Sequence, residues 1–367
     1  MNTLVEKVQR LAKSKVASWI LLIGFFYIVA AAAHSGSMAK YALRDGNPAF
    51  SIIQMMDGTA ERPFVYRQLL PTIAKIAQKT ISESESFFYS VIKKVKLDAS
   101  QNYTRATDAN VEGYQYGYKI VYLASFLGLF LSLIMLRALL LSQGYGQVES
   151  VLAPTAFIIA FPYLQSIGGF FYDSIELAFF IGAIMLAYKG RIASLIVLTI
   201  FASFNKESFL FFIPTFYPFI RAKYTFKQTI LIFISLLSVS TLIHFYLHEL
   251  FKGNVGSEMY FHLWINLKEY LSPMTYLRNE TTYGLPGPSG FFITTLTIML
   301  IVAVRAKLEV SLVWKQHFLI AFLINMPLFL AFCVTGELRN LSMLYVGAVI
   351  FMAGALRASL KNSTCIR

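Results

Sequence analysis

Apolar runs of the length that crosses a lipid bilayer dominate this sequence and restrict its fold more than any other feature. A helix needs about 20 consecutive apolar residues to cross the ~30 Å hydrocarbon core of a membrane. Hydrophobic residues make up 57% of the chain and charged residues only 14%, against about a quarter in soluble domains. The sequence therefore predicts a single integral membrane domain over residues 1–367, an all-α polytopic bundle of transmembrane helices in a lipid bilayer.

About ten spans are expected from these runs. They cover residues 16–33, 118–141, 151–167, 175–188, 192–204, 209–220, 229–247, 291–304, 318–334 and 341–356. The two runs on either side of Asn205-Lys206-Glu207-Ser208 are short for a span of about 20 residues. Tilted spans, a helix that continues through the polar residues and a re-entrant pair are all open interpretations of this segment.

The positions of the basic residues predict the orientation of the chain. Lys7, Arg10, Lys13 and Lys15 precede the first run, so we expect a cytoplasmic N-terminus, and ten crossings return the C-terminus to the same side. This topology puts 16 Lys and Arg against 3 Glu on the cytoplasmic side, which accounts for the whole net charge of +13. The basic excess is thus an orientation signal in the cell (inner) membrane, and no nucleic-acid partner is expected.

The first run also has some features of a cleavable signal peptide, because it ends in Ala31-Ala32-Ala33-His34-Ser35. Its apolar stretch of 18 residues exceeds the ~7–15 residues of a signal core, which favours an uncleaved anchor. Only two cysteines, Cys333 and Cys365, occur in the chain. A disulfide framework and a thiolate metal site are therefore not indicated.

Two long segments outside the runs, residues 34–119 and 248–290, fall on the extracytoplasmic side in this topology. Apolar residues recur at helical spacing near residues 64–76 and 87–92 of the first segment, which predicts interfacial helices. In the second segment, Gly284-Leu-Pro-Gly-Pro-Ser-Gly290 is typical of a flexible hinge.

Ionisable residues border or interrupt the apolar runs at four places, and burying such residues costs a few kcal/mol each. The four clusters are Arg44-Asp45-Gly46-Asn47-Pro48 with Asp57 and residues 61–67, Tyr172-Asp173-Ser174-Ile175-Glu176, Asn205-Lys206-Glu207-Ser208, and Gly336-Glu337-Leu338-Arg339-Asn340. All four fall on the extracytoplasmic face. Interfacial anchoring or local pairing explains any one of them, but a shared polar cavity explains the four together.

The most distinctive string is Arg62-Pro63-Phe64-Val65-Tyr66-Arg67-Gln68-Leu69-Leu70-Pro71. Arg62 and Arg67 are five residues apart, and a proline at each end of the segment can begin and end a short helix. Their forked guanidinium groups suit the oxygens of a phosphate or pyrophosphate. Anchoring of the segment at the membrane surface is the equally weighted alternative.

These strings, together with Tyr172-Asp173 and Phe204-Asn205-Lys206-Glu207-Ser208, resemble bacterial multi-pass proteins of polysaccharide gene clusters. Those proteins in turn resemble the GT-C superfamily of membrane glycosyltransferases. The resemblance implies transfer of a sugar from a polyprenyl-phosphate carrier to a glycan or lipid acceptor at the extracytoplasmic face. It also implies a catalytic carboxylate after the first span, where Asp45 is the matching residue. The sequence departs from the family pattern there, because it has no adjacent acidic pair or Asp-x-Asp.

The residue types independently suit transfer from a lipid phosphate. Such a reaction needs a carboxylate that accepts the proton of the acceptor hydroxyl and cations that stabilise the charge of the leaving group. The candidate bases are Asp45, Asp57 and Glu61. The candidate substrate-binding residues are the cations Arg62, Arg67, Lys206 and Arg339, the carboxylates Asp173, Glu207 and Glu337, and Tyr66, which could stack on a sugar ring. No metal-ligand motif is present, so a divalent metal is possible but unsupported, and the cofactor is unknown.

Three other functions stay open at this point. A polysaccharide polymerase or ligase would use the same donor chemistry with a larger acceptor, a transporter or flippase would carry the lipid-linked sugar, and an assembly subunit would not be catalytic. A transporter needs charged sites near the bilayer midplane that both sides can reach, whereas these charges gather at one face. His244 and His248 share a helix face, and we expect a packed or interfacial pair because no third metal ligand is nearby.

Overall fold

The computed structural model describes residues 15–83, 90, 94, 99–165, 168–257, 259–277, 279–282, 285–288 and 292–364. The basic residues Lys7, Arg10 and Lys13, and the apolar positions 87, 88, 91 and 92 of one expected interfacial helix, lie outside these residues. Almost all of the regular structure in the described part is helical, which confirms the predicted all-α class. The exception is one antiparallel hairpin, in which Asn279 pairs with Pro288 and Thr282 with Leu285.

The helices are numbered here in chain order. They are α1 (Lys15–Tyr41), α2 (Ile52–Asp57), α3 (Leu69–Glu83), α4 (Ala99–Asn102), α5 (Gln115–Ser142), α6 (Gln147–Leu164), α7 (Asp173–Lys189), α8 (Ile192–Asn205), α9 (Ser208–Phe212), α10 (Tyr217–Arg221), α11 (Phe226–Phe251), α12 (Leu263–Leu271), α13 (Phe292–Ala306), α14 (Leu312–Phe332) and α15 (Tyr345–Thr364). The hairpin strands are β1 (Asn279–Thr282) and β2 (Leu285–Pro288), and the 3₁₀ segments among the described residues include Phe64–Tyr66 and Leu338–Leu344.

Six helical segments in the described part of the chain are long and apolar enough to cross a membrane. They are α1, α5, α6, α11, α14 and residues Leu338–Lys361, which include most of α15. The other four predicted runs fall on shorter helices: α7, α8, α13, and α9 and α10 with the 3₁₀ turn between them. These six helices make the chain a multi-pass membrane protein by length and composition.

Helix α5 lies at the centre of the bundle and packs against α1, α6 and α7, while α15 packs against α6 and α13. Large apolar side chains such as Ile20, Leu21 and Leu242 are exposed on the outer surfaces of these helices. Contiguous apolar surface of this kind is unfavourable in water and is expected where lipid tails replace water.

Helix α1 ends at Tyr41, eight residues beyond the predicted end of its apolar run. The additional turns are small or polar, but they pack on the bundle: His34 and Met38 are buried, and His34 Nε2 lies 2.8 Å from Ser125 Oγ. The end predicted from hydropathy is eight residues too early, because hydropathy carries no information about contacts between helices.

The segment between α1 and α5 is largely helical and packs on the bundle. Ser51 caps the first turn of α2, and the left-handed Gly58 ends that helix. Helix α3 packs against both α2 and α5 and buries Leu70, Ala74 and Ile81. These contacts hold the segments around Arg44, just after α1, and Arg67, just before α3, against one end of the bundle. At this end α1 ends and α7 begins. This end is called the polar end below.

Candidate functional site

The four sequence clusters supply side chains to one connected network at the polar end. Helix α7 begins there at Asp173, α8 ends at Asn205, α9 begins at Ser208, and α14 ends shortly before Glu337. The backbone at such helix ends has unpaired polar groups, so polar side chains are tolerated there. The helix packing thereby joins residues that are distant in sequence.

Lys206 occupies a break between two helices. Its backbone is extended, with φ −165° and ψ 141°, which separates α8 from α9. Its Nζ lies 2.8 Å from Glu176 Oε2 and 3.2 Å from Asp173 Oδ1, and all three side chains are buried. The apolar runs around residues 205–208 are therefore two separate helices with a cation between them.

Asp173 and Glu176 each receive further hydrogen bonds. The Phe170 backbone N–H donates to Asp173 Oδ2 at 3.0 Å. The hydroxyl groups of Ser208 and Ser342 both donate to Glu176 Oε1. Buried carboxylates are stable only when they are paired and hydrogen-bonded, and these two satisfy both conditions.

Arg339 links the last cluster to α7. Its Nη1 lies 3.3 Å from Asp173 Oδ1, and its Nε and Nη2 donate to Glu337 Oε1 at 3.1 and 2.5 Å. Asp173 therefore bridges two cations, Lys206 and Arg339. The side chain of Arg339 is buried, with 7% of its area exposed, and that of Glu337 is slightly more exposed, at 14%.

Arg67 forms the outer edge of the network. Its Nε donates to Glu207 Oε2 at 3.0 Å and its Nη2 to Glu207 Oε1, while Nη1 donates to the Tyr172 hydroxyl. The Glu207 side chain is 38% exposed. Burial raises the pKa of Glu207, but the Arg67 guanidinium more than offsets this effect and lowers the pKa to about 2. Glu207 is therefore ionised throughout the physiological range.

Aromatic rings separate the cations of the network. The Phe170 ring stacks on Tyr172 with centroids 5.1 Å apart and on Phe64 with centroids 5.3 Å apart. The Arg67 guanidinium carbon lies 4.8 Å from the Tyr172 centroid, and that of Arg339 lies 4.5 Å from the Phe170 centroid. Cation–π contacts of this kind stabilise the positive charges.

Arg44 also lies against this stack, with its guanidinium carbon 4.7 Å from the centroids of both Phe50 and Phe170. No side chain among the described residues forms a hydrogen bond or ion pair with its guanidinium group, and its Nε is buried without a partner. Arg44 is thus a half-buried cation with no direct ion pair to a carboxylate of the described residues, unlike Arg67, Lys206 and Arg339.

Asp45 is the predicted base, and its carboxylate lies in a hydrogen-bonded turn next to Arg44. It accepts from the Asp108 backbone N–H at 3.0 Å, the Leu43 backbone N–H at 3.2 Å and the Tyr118 hydroxyl at 3.0 Å. Burial raises the pKa of Asp45 to about 6, although these hydrogen bonds act against the shift. The structure provides no direct contact between Asp45 and the charge network.

Asp57, Glu61, Arg62 and Tyr66 also lie apart from the network. The Tyr114 hydroxyl donates to Asp57 Oδ2 at 2.6 Å, and Arg62 Nη2 donates to the Gly256 carbonyl at 2.9 Å. The Tyr66 ring stacks on His248 with centroids 4.2 Å apart. Arg62 and Arg67 therefore bind different parts of the protein and do not form one fork, despite their spacing in the sequence.

Glu176 and Arg44 stood in the sequence clusters but were not assigned a role as site residues. Glu176 is three residues beyond Asp173, so both carboxylates share one face of α7, and this spacing was a usable signal. Arg44 gave no comparable signal, because its lack of a carboxylate partner is a property of the three-dimensional packing. No group of three or more His, Cys, Asp or Glu side chains in the described ranges could hold a metal ion.

No protein-family model matches the chain, and neither the curated proteins nor the solved structures contain a significant match. The resemblance to GT-C glycosyltransferases therefore stays a prediction based on a few short strings.

Proposed function

We propose that the chain is a membrane glycosyltransferase that moves a sugar from a polyprenyl-phosphate-linked donor to a glycan or lipid acceptor at the extracytoplasmic face. The observation that supports this proposal most is the buried charge network of Arg67, Asp173, Lys206, Glu207 and Arg339 at the polar end. Each buried ion costs several kcal/mol before pairing. A chain that needed only membrane anchoring would gain nothing from this cost.

The proposed topology has ten crossings, with both termini in the cytoplasm. It assigns the polar end to the extracytoplasmic side of the inner membrane and α3 and α12 to the interface. The charge distribution along the chain supports this assignment, because it places the entire net charge of +13 in the cytoplasm. In this arrangement the network lies where the lipid phosphate and the sugar of a flipped carrier would be found.

The cations and carboxylates have separate roles in the proposed reaction. Arg339 and Arg67 are permanently charged and stabilise the negative charge that develops on the departing phosphate. Lys206 keeps Asp173 and Glu176 in place through its two ion pairs. Glu207 and Glu337 are the less buried carboxylates, and they accept hydrogen bonds from sugar hydroxyls. Arg62 is left out, because it binds the Gly256 carbonyl.

Asp45 is the proposed general base. A base is most effective when its pKa lies near the working pH, and burial brings the pKa of Asp45 to about 6. Hydrogen bonds of catalytic groups often rearrange when substrate binds, and Tyr118 can release the carboxylate by rotating its hydroxyl hydrogen. The acceptor proton would pass to Asp45 while the acceptor oxygen attacks the anomeric carbon and the polyprenyl phosphate leaves.

Among the alternative functions, a transporter or flippase is disfavoured by the position of the charges. Transport sites lie near the bilayer midplane, where both sides can reach them, whereas this network lies at helix ends. A polymerase or ligase would share the same donor site and differ only in the size of the acceptor. A non-catalytic assembly subunit would not require the network to be intact.

The fate of the lipid-linked sugar in a strain that lacks the protein tests the proposal. We expect the sugar-loaded carrier to accumulate on the extracytoplasmic face, where an added soluble glycosidase can reach it, and the surface glycan to lack one sugar. Accumulation of the carrier on the cytoplasmic face would instead identify a flippase. A normal amount and structure of the glycan would contradict any role in its assembly.

A further inference from the structure

We infer that α12 is a membrane-surface helix that positions Arg339. Its outer face, with Trp264 and Leu271, inserts among lipids at the polar end, and its inner face, with Asn266 and Tyr270, holds the turn that carries Arg339. The inference rests on the proposed function only for the part that Arg339 plays in a reaction. Both contacts of the helix can be measured without turnover.

Helix α12 has two faces of different character. Trp264, Lys268 and Leu271 are spaced by four and three residues and therefore share one face. All three are exposed, Trp264 to 74% and Leu271 to 81%. Asn266 lies about 200° around the helix from Trp264 and is only 1% exposed, and Tyr270 follows it by one turn. The outer face is thus mainly apolar and exposed, whereas the inner face is polar and packed.

The inner face of α12 caps the end of α14. The last carbonyl groups of a helix have no partner within that helix. Asn266 Nδ2 donates to the carbonyls of Leu330 and Cys333 at 2.8 and 2.7 Å, and the His262 backbone N–H donates to the Ala331 carbonyl at 2.7 Å. Because α12 satisfies these carbonyls, it fixes the point at which the chain leaves α14.

The same face holds the turn that follows α14 and carries Arg339. The Thr335 hydroxyl donates to Asn266 Oδ1 at 2.6 Å, and the Gly336 backbone N–H donates to the Tyr270 hydroxyl at 3.1 Å. Arg339 comes three residues after Gly336. The ion pairs of Arg339 in the charge network therefore depend on how α12 holds this turn.

Lipid is the partner that suits the outer face. Helix α14 is long and apolar enough to cross the membrane, and its exposed side chains Phe322 and Leu323 line one apolar groove of about 450 Å³ together with Leu263 of α12. The apolar surface of α12 is thus continuous with a surface that faces lipid tails. Trp264 and Lys268 are the residue types that lie at the level of the lipid head groups.

Fluorescence quenching of the full chain in lipid nanodiscs tests the outer face. The chain has three tryptophans, so the difference in emission between the wild type and Trp264→Phe reports Trp264. We expect nitroxide lipids labelled at the head group or near the top of the acyl chain to quench this emission, and iodide in the buffer to have little effect. The corresponding difference for Trp314→Phe should respond to neither quencher, because Trp314 is buried.

Cys333 reports whether the turn is closed. Its carbonyl accepts from Asn266, and its thiol accepts from Asn340 Nδ2 at 3.2 Å, next to Arg339. A Cys365→Ser background leaves Cys333 as the one thiol of the chain. The rate of its reaction with N-ethylmaleimide in nanodiscs therefore measures local opening of the turn.

Two variants of the inner face should increase this rate. Asn266→Leu leaves the carbonyls of Leu330 and Cys333 without their donor, and the rate should rise about 10- to 100-fold, the range for leaving buried polar groups unpaired. Tyr270→Phe is the milder change, because it removes only the acceptor of the Gly336 N–H. It should increase the rate by a smaller factor.

Trp264→Ser separates positioning from the membrane surface from simple packing. The Trp264 side chain points away from the turn, so a purely structural cap would leave the Cys333 rate unchanged. We expect the rate to rise several-fold, because α12 loses a large apolar contact with lipid. Ile76→Ser is the matched control, since it removes an apolar side chain that is 62% exposed on α3, and it should leave the rate unchanged.

Three results would overturn the inference. They are quenching of Trp264 by iodide and not by nitroxide lipids, a Cys333 rate that is unchanged in both Asn266→Leu and Tyr270→Phe, and a rate that is unchanged in Trp264→Ser. These measurements contain no sugar donor or acceptor. A protein that shows both contacts of α12 but transfers no sugar would therefore retain this inference and reject the proposed function.

Discussion

The Lys206 ammonium nitrogen lies 2.8 Å from Glu176 Oε2, and both side chains are buried. This ion pair joins the break between α8 and α9 to the first turn of α7. Together with Asp173 it fixes the centre of the charge network. The arrangement of the proposed site depends on it more than on any other single contact.

Lys206→Met should lower the unfolding free energy by about 3–5 kcal/mol, because it leaves the buried Glu176 without a cation and Asp173 with Arg339 alone. Denaturant titration in mixed micelles measures this loss. The matched control is Lys252→Met, since Lys252 pairs with Glu249 at the surface, and it should change the stability little. Equal stability of the two variants would show that the buried pair is not needed for folding.

Arg67→Lys should lower both stability and turnover. The lysine ammonium group cannot make the two hydrogen bonds of the guanidinium to Glu207 and the one to Tyr172 at the same time. The expected loss is about 1.5–3 kcal/mol of unfolding free energy, the range for hydrogen bonds to charged groups, and turnover should fall with it. Arg105→Lys serves as the comparison, because lysine can still donate to the Lys40 carbonyl. If both variants unfold with the free energy of the wild type, the paired hydrogen bonds from Arg67 to Glu207 do not stabilise the fold.

Asp45→Asn tests the assignment of the base through pH. Turnover of the wild type should rise as the pH increases through about 6 and then level off, because the base must be ionised. The turnover rate of the variant should be about 10²- to 10⁴-fold lower. It should no longer rise with pH. Asp57→Asn and Glu61→Gln should keep the wild-type profile. If the turnover of Asp45→Asn still rises with pH through about 6, the general base is a residue other than Asp45.

The raised pKa of Asp45 also predicts how the stability of the fold depends on pH. Because its folded pKa lies above the ordinary value of 3.8, Asp45 contributes stability that is complete below pH ~3.8 and is lost as the pH rises through about 6. Asp45→Asn should remove this part of the pH dependence. Thermal unfolding of both proteins between pH 4 and pH 7 measures the difference, and parallel curves would contradict the assigned pKa.

Labelling of single cysteines checks the orientation of the chain. In a background of Cys333→Ala and Cys365→Ser, a Ser100→Cys protein should react with an impermeant maleimide in intact cells. A Lys227→Cys protein should react only after the membrane is opened. The reverse pattern would place the polar end in the cytoplasm and rule out the proposed extracytoplasmic reaction.

The sequence predicted the class of the fold and the composition of the network better than its connections. Apolar runs locate helices directly, and charges beside them mark polar helix ends. The partners of each charge depend on how helices pack: Asp173 and Arg339 are 166 residues apart, and no local pattern relates them. For Arg62 and Arg67 the sequence suggested a shared phosphate site that the structure does not contain. The two arginines are close in sequence but bind different parts of the protein.

Transfer of label from a carrier-linked sugar tests the central claim most directly. The purified protein in proteoliposomes would receive labelled sugar-linked polyprenyl phosphate and acceptor from the membranes of its own cells, and the fraction of label still linked to the carrier would be measured. We expect this fraction to fall with the wild type, with release of polyprenyl phosphate, and to stay constant with Asp45→Asn and Arg339→Gln. Label that stays on the carrier with the wild type while moving between the two leaflets would contradict it.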